Sequence, residues 1–186
     1  MAQKEQEFDF ATMPHCFEIS IVVKDIEESK KKFNSLLGMT PYQEMEGPLG
    51  DHLYVHGKKV EGSVKCCHYR VGPVKLELAQ PIEGETIYKE FLDKHGVGVQ
   101  HLGFRVSDLE KEIARFKKRG LGIVQRFSYP ELGEYGFDIA YLDTEDIAGC
   151  HFELAECASG EPGEMPTELQ AEFGEQVGGK LSSVEP

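Results

Sequence analysis

Residues 18–27 read E-I-S-I-V-V-K-D-I-E, and residues 101–110 read H-L-G-F-R-V-S-D-L-E. Three positions match at a constant offset of 83: Val23 with Val106, Asp25 with Asp108, and Glu27 with Glu110. A second pair of segments follows in the same order, V-K-L-E-L-A-Q at 74–80 and C-H-F-E-L-A-E at 150–156. Two landmarks in the same order in each half indicate that the chain contains a duplicated module.

Each copy of the module begins and ends with a segment in which polar and apolar residues alternate, which is the period of a half-buried strand. Asp25 and Asp108 follow the opening strands, where a carboxylate can cap the free amides of a helix. We predict that helices follow them over 26–37 and 109–119. Shorter runs are typical of hairpin strands: 52–56, 64–71, 123–127 and 137–142. The pattern in each copy is therefore βαβββ, and the predicted fold class is α+β.

The two copies define the predicted parts of the chain. An N-terminal extension covers 1–13, the first module covers 14–80, a connector helix lies within 81–97, and the second module covers 98–157. Residues 158–186 are rich in Gly, Pro, Ser and Glu and contain few large apolar side chains. This composition is typical of a flexible acidic tail. We expect the two modules to form one domain together.

The composition narrows the classes of function. With 186 residues, 40% of them hydrophobic, the chain is long enough to bury a core of its own. Its net charge of −13 argues against nucleic-acid binding, which needs a basic face to displace counterions. No window approaches the ~20 consecutive apolar residues of a membrane span, and the charged N-terminus lacks the apolar run of a secretory signal. We therefore expect a cytoplasmic protein with neither nucleic-acid nor membrane partners.

Four polar residues occupy equivalent places in the two copies: Glu18 and His101 on the opening strands, and Glu77 and Glu153 on the closing strands. Any one strand glutamate, taken singly, is more often found on a solvated face. Buried alone in an apolar strand, it would be costly. Three carboxylates and one imidazole around a divalent cation, in contrast, leave a net charge of only about −1. We therefore predict that the repeat brings these four side chains to one metal ion.

Residues 15–157 resemble the vicinal oxygen chelate superfamily, which includes glyoxalase I, methylmalonyl-CoA epimerase, extradiol dioxygenases and metal-free drug-binding resistance proteins. The resemblance is carried by the segments quoted above, extended to G-V-Q-H-L-G-F-R-V-S-D-L-E at 98–110 and G-C-H-F-E-L-A-E at 149–156. It implies two βαβββ modules that curl into a mixed-sheet cup around a metal ion, and it implies a homodimer. The ligand positions of the superfamily fall on Glu18, Glu77, His101 and Glu153.

Within the superfamily, the stretch at 74–104 is most similar to methylmalonyl-CoA epimerase, although the first ligand position is usually His there and is Glu18 here. This similarity implies a divalent-metal-dependent isomerase that removes an α-proton next to a carbonyl through a metal-stabilised enolate. The implied substrate is an acyl-CoA or a dicarbonyl compound. Glu153 is the candidate base, because the resemblance gives its position both ligand and base roles. Glu61, in a segment that matches only loosely, is a candidate for the second acid/base or an exposed hairpin residue.

The predicted ligand set restricts the identity of the metal ion, whereas the function keeps two alternatives. Three carboxylates and one imidazole form an oxygen-rich site that suits Mn, Co, Ni, Fe or Zn. Two other functions stay open: a glyoxalase I-type lactoylglutathione lyase, which is a carbon–sulfur lyase, and a small-molecule-binding protein without turnover. Tyr129, Tyr135 and Tyr141 are candidates for the mouth of the pocket, although tyrosine is common on strands.

Overall fold

The computed structural model describes residues 16–50, 52–130 and 136–157, together with the backbone of 180–183. The predicted extension at 1–13 lies outside the described residues. The elements in chain order are β1 (Cys16–Val22), α1 (Ile26–Leu37), β2 (Gln43–Pro48), β3 (Tyr54–Val55), β4 (Lys58–Lys59), β5 (Gly62–Val71), β6 (Val74–Gly84), α2 (Ile87–His95), β7 (Gly98–Arg105), α3 (Leu109–Lys117), β8 (Ile123–Ser128), β9 (Phe137–Leu142), α4 (Glu145–Ala148), β10 (His151–Cys157) and β11 (Lys180–Ser183).

The strands form one mixed sheet in the order β11-β2-β5-β6-β1-β7-β10-β9-β8-β3-β4. In each copy the opening strand lies parallel to the closing strand, β1 to β6 and β7 to β10. The remaining pairs within each copy are antiparallel. Strands β1 and β7 pair antiparallel and so join the two copies. This topology confirms the predicted α+β fold of two βαβββ modules in a curled mixed sheet.

The second strand of the first copy differs from the prediction. It is β2, which pairs with β5, and not the run at 52–56. Of that run only Tyr54 and Val55 form a strand, which pairs with β4 and with β8 of the second copy. The prediction missed β2 because that strand, Q-E-M-E-G-P, has a single large apolar side chain and therefore shows no apolar alternation.

Both long helices begin at the predicted caps. The side chain of Asp25 accepts a hydrogen bond from the amide of Glu28, and that of Asp108 accepts one from the amide of Lys111, both at 2.9 Å. Helix α1 has the predicted bounds, whereas α3 ends two residues before the predicted position 119. The last residues there form tighter turns, since the amide of Arg119 bonds the carbonyl of Phe116.

Helices α1 and α3 cover the convex face of the sheet. Ile26 of α1 is buried in a cluster with Tyr69 and Leu78, and Leu109 of α3 in a cluster with Leu154. The predicted apolar sides of the closing strands belong to these two clusters: Leu76 with Leu78, and Phe152 with Leu154. The opposite sides of the same strands, which carry Glu77 and Glu153, therefore face the concave side.

Part of the concave side is filled by an apolar core. The β3–β4 hairpin contributes Val55, and α2, which lies within the predicted connector, contributes Ile87 and Phe91. These side chains pack with Val22 and Ala79. Val22 and Ala79 each lie two residues after a buried polar residue of the same strand, and they therefore share its face of the sheet. The buried polar residues of the concave side thus border this core.

The predicted tail contributes one element to the sheet. Strand β11 pairs antiparallel with β2 at the sheet edge, whereas residues 158–179 and 184–186 lie outside the described residues. No helix in the described ranges has the length and apolar character needed to cross a membrane.

Candidate metal centre

A cluster of buried polar side chains lines the concave side of the central strands. It comprises Glu18, Ser20, His68, Glu77, His101 and Glu153, each 7% exposed or less. The four residues predicted from the repeat lie on β1, β6, β7 and β10, which are consecutive in the sheet. The structure therefore places all four of them in the same buried region.

Gly103 allows two of the acidic residues to approach each other. It lies opposite Glu18 on one side and opposite Glu153 on the other. A Cβ atom at this position would lie 2.9 Å from the Cβ of Glu18 and 3.0 Å from the ring of Phe17. Only glycine leaves this space open.

Glu18, His101 and Glu153 form the first candidate ligand group. Each offers one ligand atom, and these three atoms lie within 4.8 Å of one another. The Nε2 of His101 is 3.2 Å from a carboxylate oxygen of Glu153, yet it makes no hydrogen bond and is fully buried. A buried nitrogen without a partner is costly, so this atom is suited to bind a cation.

The orientation of His101 supports the same conclusion. Its Nδ1 lies 2.6 Å from the side-chain oxygen of Gln100. An amide oxygen can only accept, so Nδ1–H donates and the Nε2 of the neutral ring presents a lone pair to the cluster. A second partner that fixes the tautomer in this way is typical of metal-binding histidines. The residues present therefore fit a divalent metal ion.

Glu18, His68 and Glu77 form a second group whose ligand atoms also lie within 4.8 Å of one another. Hydrogen bonds already occupy both oxygens of Glu77: the hydroxyl of Ser20 donates to one at 2.7 Å, and the Nε2 of His68 lies 3.0 Å from the other. The Nδ1 of His68 lies 2.9 Å from the side-chain oxygen of Gln43. Glu77 is therefore held by the protein itself.

His68 was missed in the sequence. It lies in the run C-C-H-Y at 66–69 and has no counterpart in the repeat. The pairing of β5 with β6 places it opposite Glu77, and that pairing depends on contacts between separate strands. A histidine in an otherwise apolar strand was the available signal.

The charged groups of the cluster shift the pKa values of one another. Burial, together with the charges of Glu77 and Glu153, raises the pKa of Glu18 to about 8. The ammonium group of Lys75, 2.7 Å from Glu18, opposes this rise. Burial alone would lower the pKa of His101, but the charge of Glu153 raises it. The repulsion among these carboxylates is what a bound cation would relieve.

The pKa of Glu77 is lowered, whereas that of Glu18 is raised. Burial alone would raise its pKa, but the hydrogen bond from His68 and the nearby positive charges hold that pKa below its ordinary value. Burial and the charge of Lys75 lower the pKa of His68. Glu77 is therefore a carboxylate that the protein keeps ionised.

Two tyrosines pack beside His101. The hydroxyls of Tyr88 and Tyr141 are 2.7 Å apart, and both rings meet the imidazole edge-on, with centroids 5.9 and 5.1 Å away. Burial and the charges of the glutamates raise the pKa values of both hydroxyls well above the ordinary range, so both stay neutral. Tyr129, in contrast, is part of the apolar core, and Tyr135 lies outside the described residues.

Glu61 does not lie in this cluster. It is exposed and precedes β5, seven residues before His68. That separation corresponds to roughly 20 Å along a strand. Its backbone carbonyl accepts a hydrogen bond from the amide of Glu85.

The chain matches the family model of the Glyoxalase/Bleomycin resistance protein/Dioxygenase superfamily over residues 17–141. It belongs to this superfamily. The match includes Glu18, Glu77 and His101 but ends before β10, the strand that carries Glu153. Superfamily membership and the first ligand group, Glu18, His101 and Glu153, thus agree on a possible metal site.

Proteins that are similar to this chain in sequence or in fold include both characterised and uncharacterised ones. The uncharacterized protein YqjC of Bacillus subtilis (strain 168) is 26% identical over 139 residues, which is 74% of this chain and 89% of that protein. A hypothetical protein of Bacillus halodurans C-125, BH1468, has 21% identity and a TM-score of 0.58, covering 82% of this chain and 97% of that chain.

Methylmalonyl-CoA epimerases also share the fold. A Streptomyces coelicolor variant in complex with 2-nitronate-propionyl-CoA has 21% identity and a TM-score of 0.56, covering 82% of this chain and 100% of that chain. The Mycobacterium tuberculosis enzyme has 23% identity and a TM-score of 0.51, and the match covers 77% of this chain and 87% of that chain. At these identities the likeness shows the fold of the superfamily.

Proposed function

We propose that this protein is a divalent-metal-dependent isomerase that removes the proton α to the carbonyl of an acyl thioester, in the manner of an epimerase. The observation that carries the proposal is the buried, unpartnered Nε2 of His101, which faces Glu153 and lies within reach of Glu18. Superfamily membership and the shared fold with methylmalonyl-CoA epimerases support the choice of reaction.

The proposed ligands are Glu18, His101 and Glu153, with Glu77 as the fourth. A mixed set of carboxylates and one imidazole suits Mn, Co, Ni, Fe or Zn. A bound divalent cation supplies Lewis-acid chemistry, which polarises a carbonyl oxygen and stabilises the negative charge that develops there. Ser20 and His68 hold Glu77 in position.

Glu153 is the proposed base. It is 3% exposed, and one of its oxygens lies near His101, which leaves the other for the α-proton. Water is largely excluded around it, so its interactions with a developing charge are stronger than they would be in solvent. The neutral hydroxyls of Tyr88 and Tyr141 add polar contacts without adding charge.

Substitution of Glu153 by Gln tests this role. We expect Glu153→Gln to lower the rate of solvent deuterium uptake into methylmalonyl-CoA by about a hundredfold or more, because general-base catalysis commonly contributes that much. The matched control is Glu83→Gln on an exposed part of β6, which should change the rate less than about twofold. Equal rates in the parent and the Glu153 variant would contradict the assignment.

The other two candidate functions predict different experimental results. Turnover of a glutathione hemithioacetal without deuterium uptake into an acyl-CoA would favour the glyoxalase-type lyase. Ligand binding without turnover, unchanged after metal chelation, would favour a binding protein. We further propose a cytoplasmic homodimer, and analytical ultracentrifugation of the full chain tests the oligomeric state.

A further inference from the structure

Lys75 is a cation placed inside the acidic cluster. The parallel pairing of β1 with β6 sets it opposite Glu18, and it shares a strand face with Glu77. Its Nζ lies 2.7 Å from Glu18 and 5.4 Å from the ring centroid of Phe17. The side chain is 22% exposed, so its head group is partly withdrawn from water.

The contact between Lys75 and Glu18 contributes to the charge balance of a metal-bound cluster. Carboxylates that bind a metal ion are deprotonated, so Glu18, Glu77 and Glu153 then carry three negative charges, and a divalent cation offsets two of them. Lys75 offsets the third. A carboxylate has two oxygens, so Glu18 can accept Lys75 on one and a metal ion on the other. His101 counts as neutral, because a nitrogen that binds a cation carries no proton.

We propose that Lys75 is the fixed counter-charge of the metal centre and makes it selective for a single divalent ion over a trivalent ion. The inference rests on the metal ligands of the proposed function but not on the reaction. Lys75 acts through Glu18 and is therefore a positioning residue. A trivalent ion, or a second divalent one, would leave excess positive charge in a region shielded from solvent.

Removal of the charge has a specific expected effect. Lys75→Met should raise the ratio of Tb³⁺ affinity to Mn²⁺ affinity by about tenfold or more, because a nearby unit charge acts more strongly on a trivalent ion. Lys75→Arg keeps the charge and should keep the ratio within about threefold of the parent. Tb³⁺ is followed by luminescence sensitised by tyrosine, and Mn²⁺ by titration calorimetry on the metal-free full chain.

A charge-compensated double variant separates charge from packing. Glu18→Gln alone leaves Lys75 with one carboxylate fewer and should lower the Tb³⁺ to Mn²⁺ ratio. Glu18→Gln combined with Lys75→Met restores neutrality and should return the ratio to within about threefold of the parent. Lys65→Met is the matched control, because it removes a similarly exposed lysine whose Nζ pairs with Glu27 at 3.0 Å, and it should keep the ratio within about threefold of the parent.

The possible results distinguish a failure of the proposed role of Lys75 from a failure of the proposed function. An unchanged ratio in the Lys75→Met variant, with metal still bound, overturns the role of Lys75 and leaves the proposed function intact. A parent chain that binds neither ion overturns both. If circular dichroism shows that Lys75→Met is unfolded, Lys75→Gln replaces it, and an unchanged ratio in that variant overturns the inference.

Discussion

At the scale of single residues, the proposed metal centre depends on a glycine as much as on its ligands. Gly103 separates Glu18 from Glu153 across the three central strands. Any Cβ there would crowd both Glu18 and the ring of Phe17. The ligand geometry therefore requires glycine at this position for lack of space, and not for an unusual backbone angle.

Gly103→Ala is accordingly expected to weaken metal binding and to lower the free energy of unfolding by about 1–3 kcal/mol, the usual cost of overpacking. The matched control is Gly98→Ala on the same strand, where a Cβ would meet Phe91 at an ordinary 3.6 Å. Urea unfolding and Mn²⁺ titration of both variants measure the effects. Equal stability and equal affinity in the two would contradict the packing argument.

The residues that the sequence predicted are those that the duplication repeats. Glu18, Glu77, His101 and Glu153 occupy equivalent positions in the two copies, so a comparison within the chain finds them. His68 and Lys75 are not repeated as the same residue types, since Tyr141 and His151 take the corresponding places in the second copy, and their contacts with Glu77 and Glu18 follow from strand register. The sequence alone therefore indicated the acidic ligands but not the groups that neutralise and hold them.

At the scale of elements, the two long helices depend on their caps. Asp25 and Asp108 each accept a hydrogen bond from the amide three residues later. Both helices pack apolar side chains on the convex face of the sheet, behind the strands that carry the ligands. Loss of a cap should therefore reduce stability without altering the metal ligands.

Asp108→Ala should lower the free energy of unfolding by about 1 kcal/mol, because an amide in the first turn of α3 loses its acceptor. Asp108→Asn, which keeps an acceptor oxygen, should recover most of that loss. Metal affinity should stay within about twofold of the parent in both variants. Thermal unfolding of the metal-free chain gives the comparison, and an Asn variant as unstable as the Ala variant would exclude the cap explanation.

Local signals explain which elements the sequence predicted. The caps and the apolar periodicity lie within each helix, so α1 was predicted with its observed bounds. Strand β2 and strand β11 carry little apolar alternation and are held by pairing with each other and with β5. Their formation depends on distant residues, which periodicity within a short window does not reveal.

At the scale of the whole molecule, the pairing of β1 with β7 turns two similar modules into one site. It brings the ligand-bearing strands of both copies together, so neither copy alone contains the full ligand set. The repeat and the family resemblance predicted this cup. The crossing of the β3–β4 hairpin onto β8 of the other module was not predicted, because two-residue strands leave almost no pattern in the sequence.

The proposal that the joined modules bind one metal ion is tested most directly by metal analysis of the purified full chain. The comparison is with the double variant Glu18→Ala, His101→Ala. A control removes an exposed glutamate–histidine pair, His56 and Glu90, whose side chains are 2.9 Å apart. We predict close to one equivalent of transition metal in the parent and the control, and almost none in the ligand variant. Equal occupancy in all three chains, or no metal in the parent, would contradict the account.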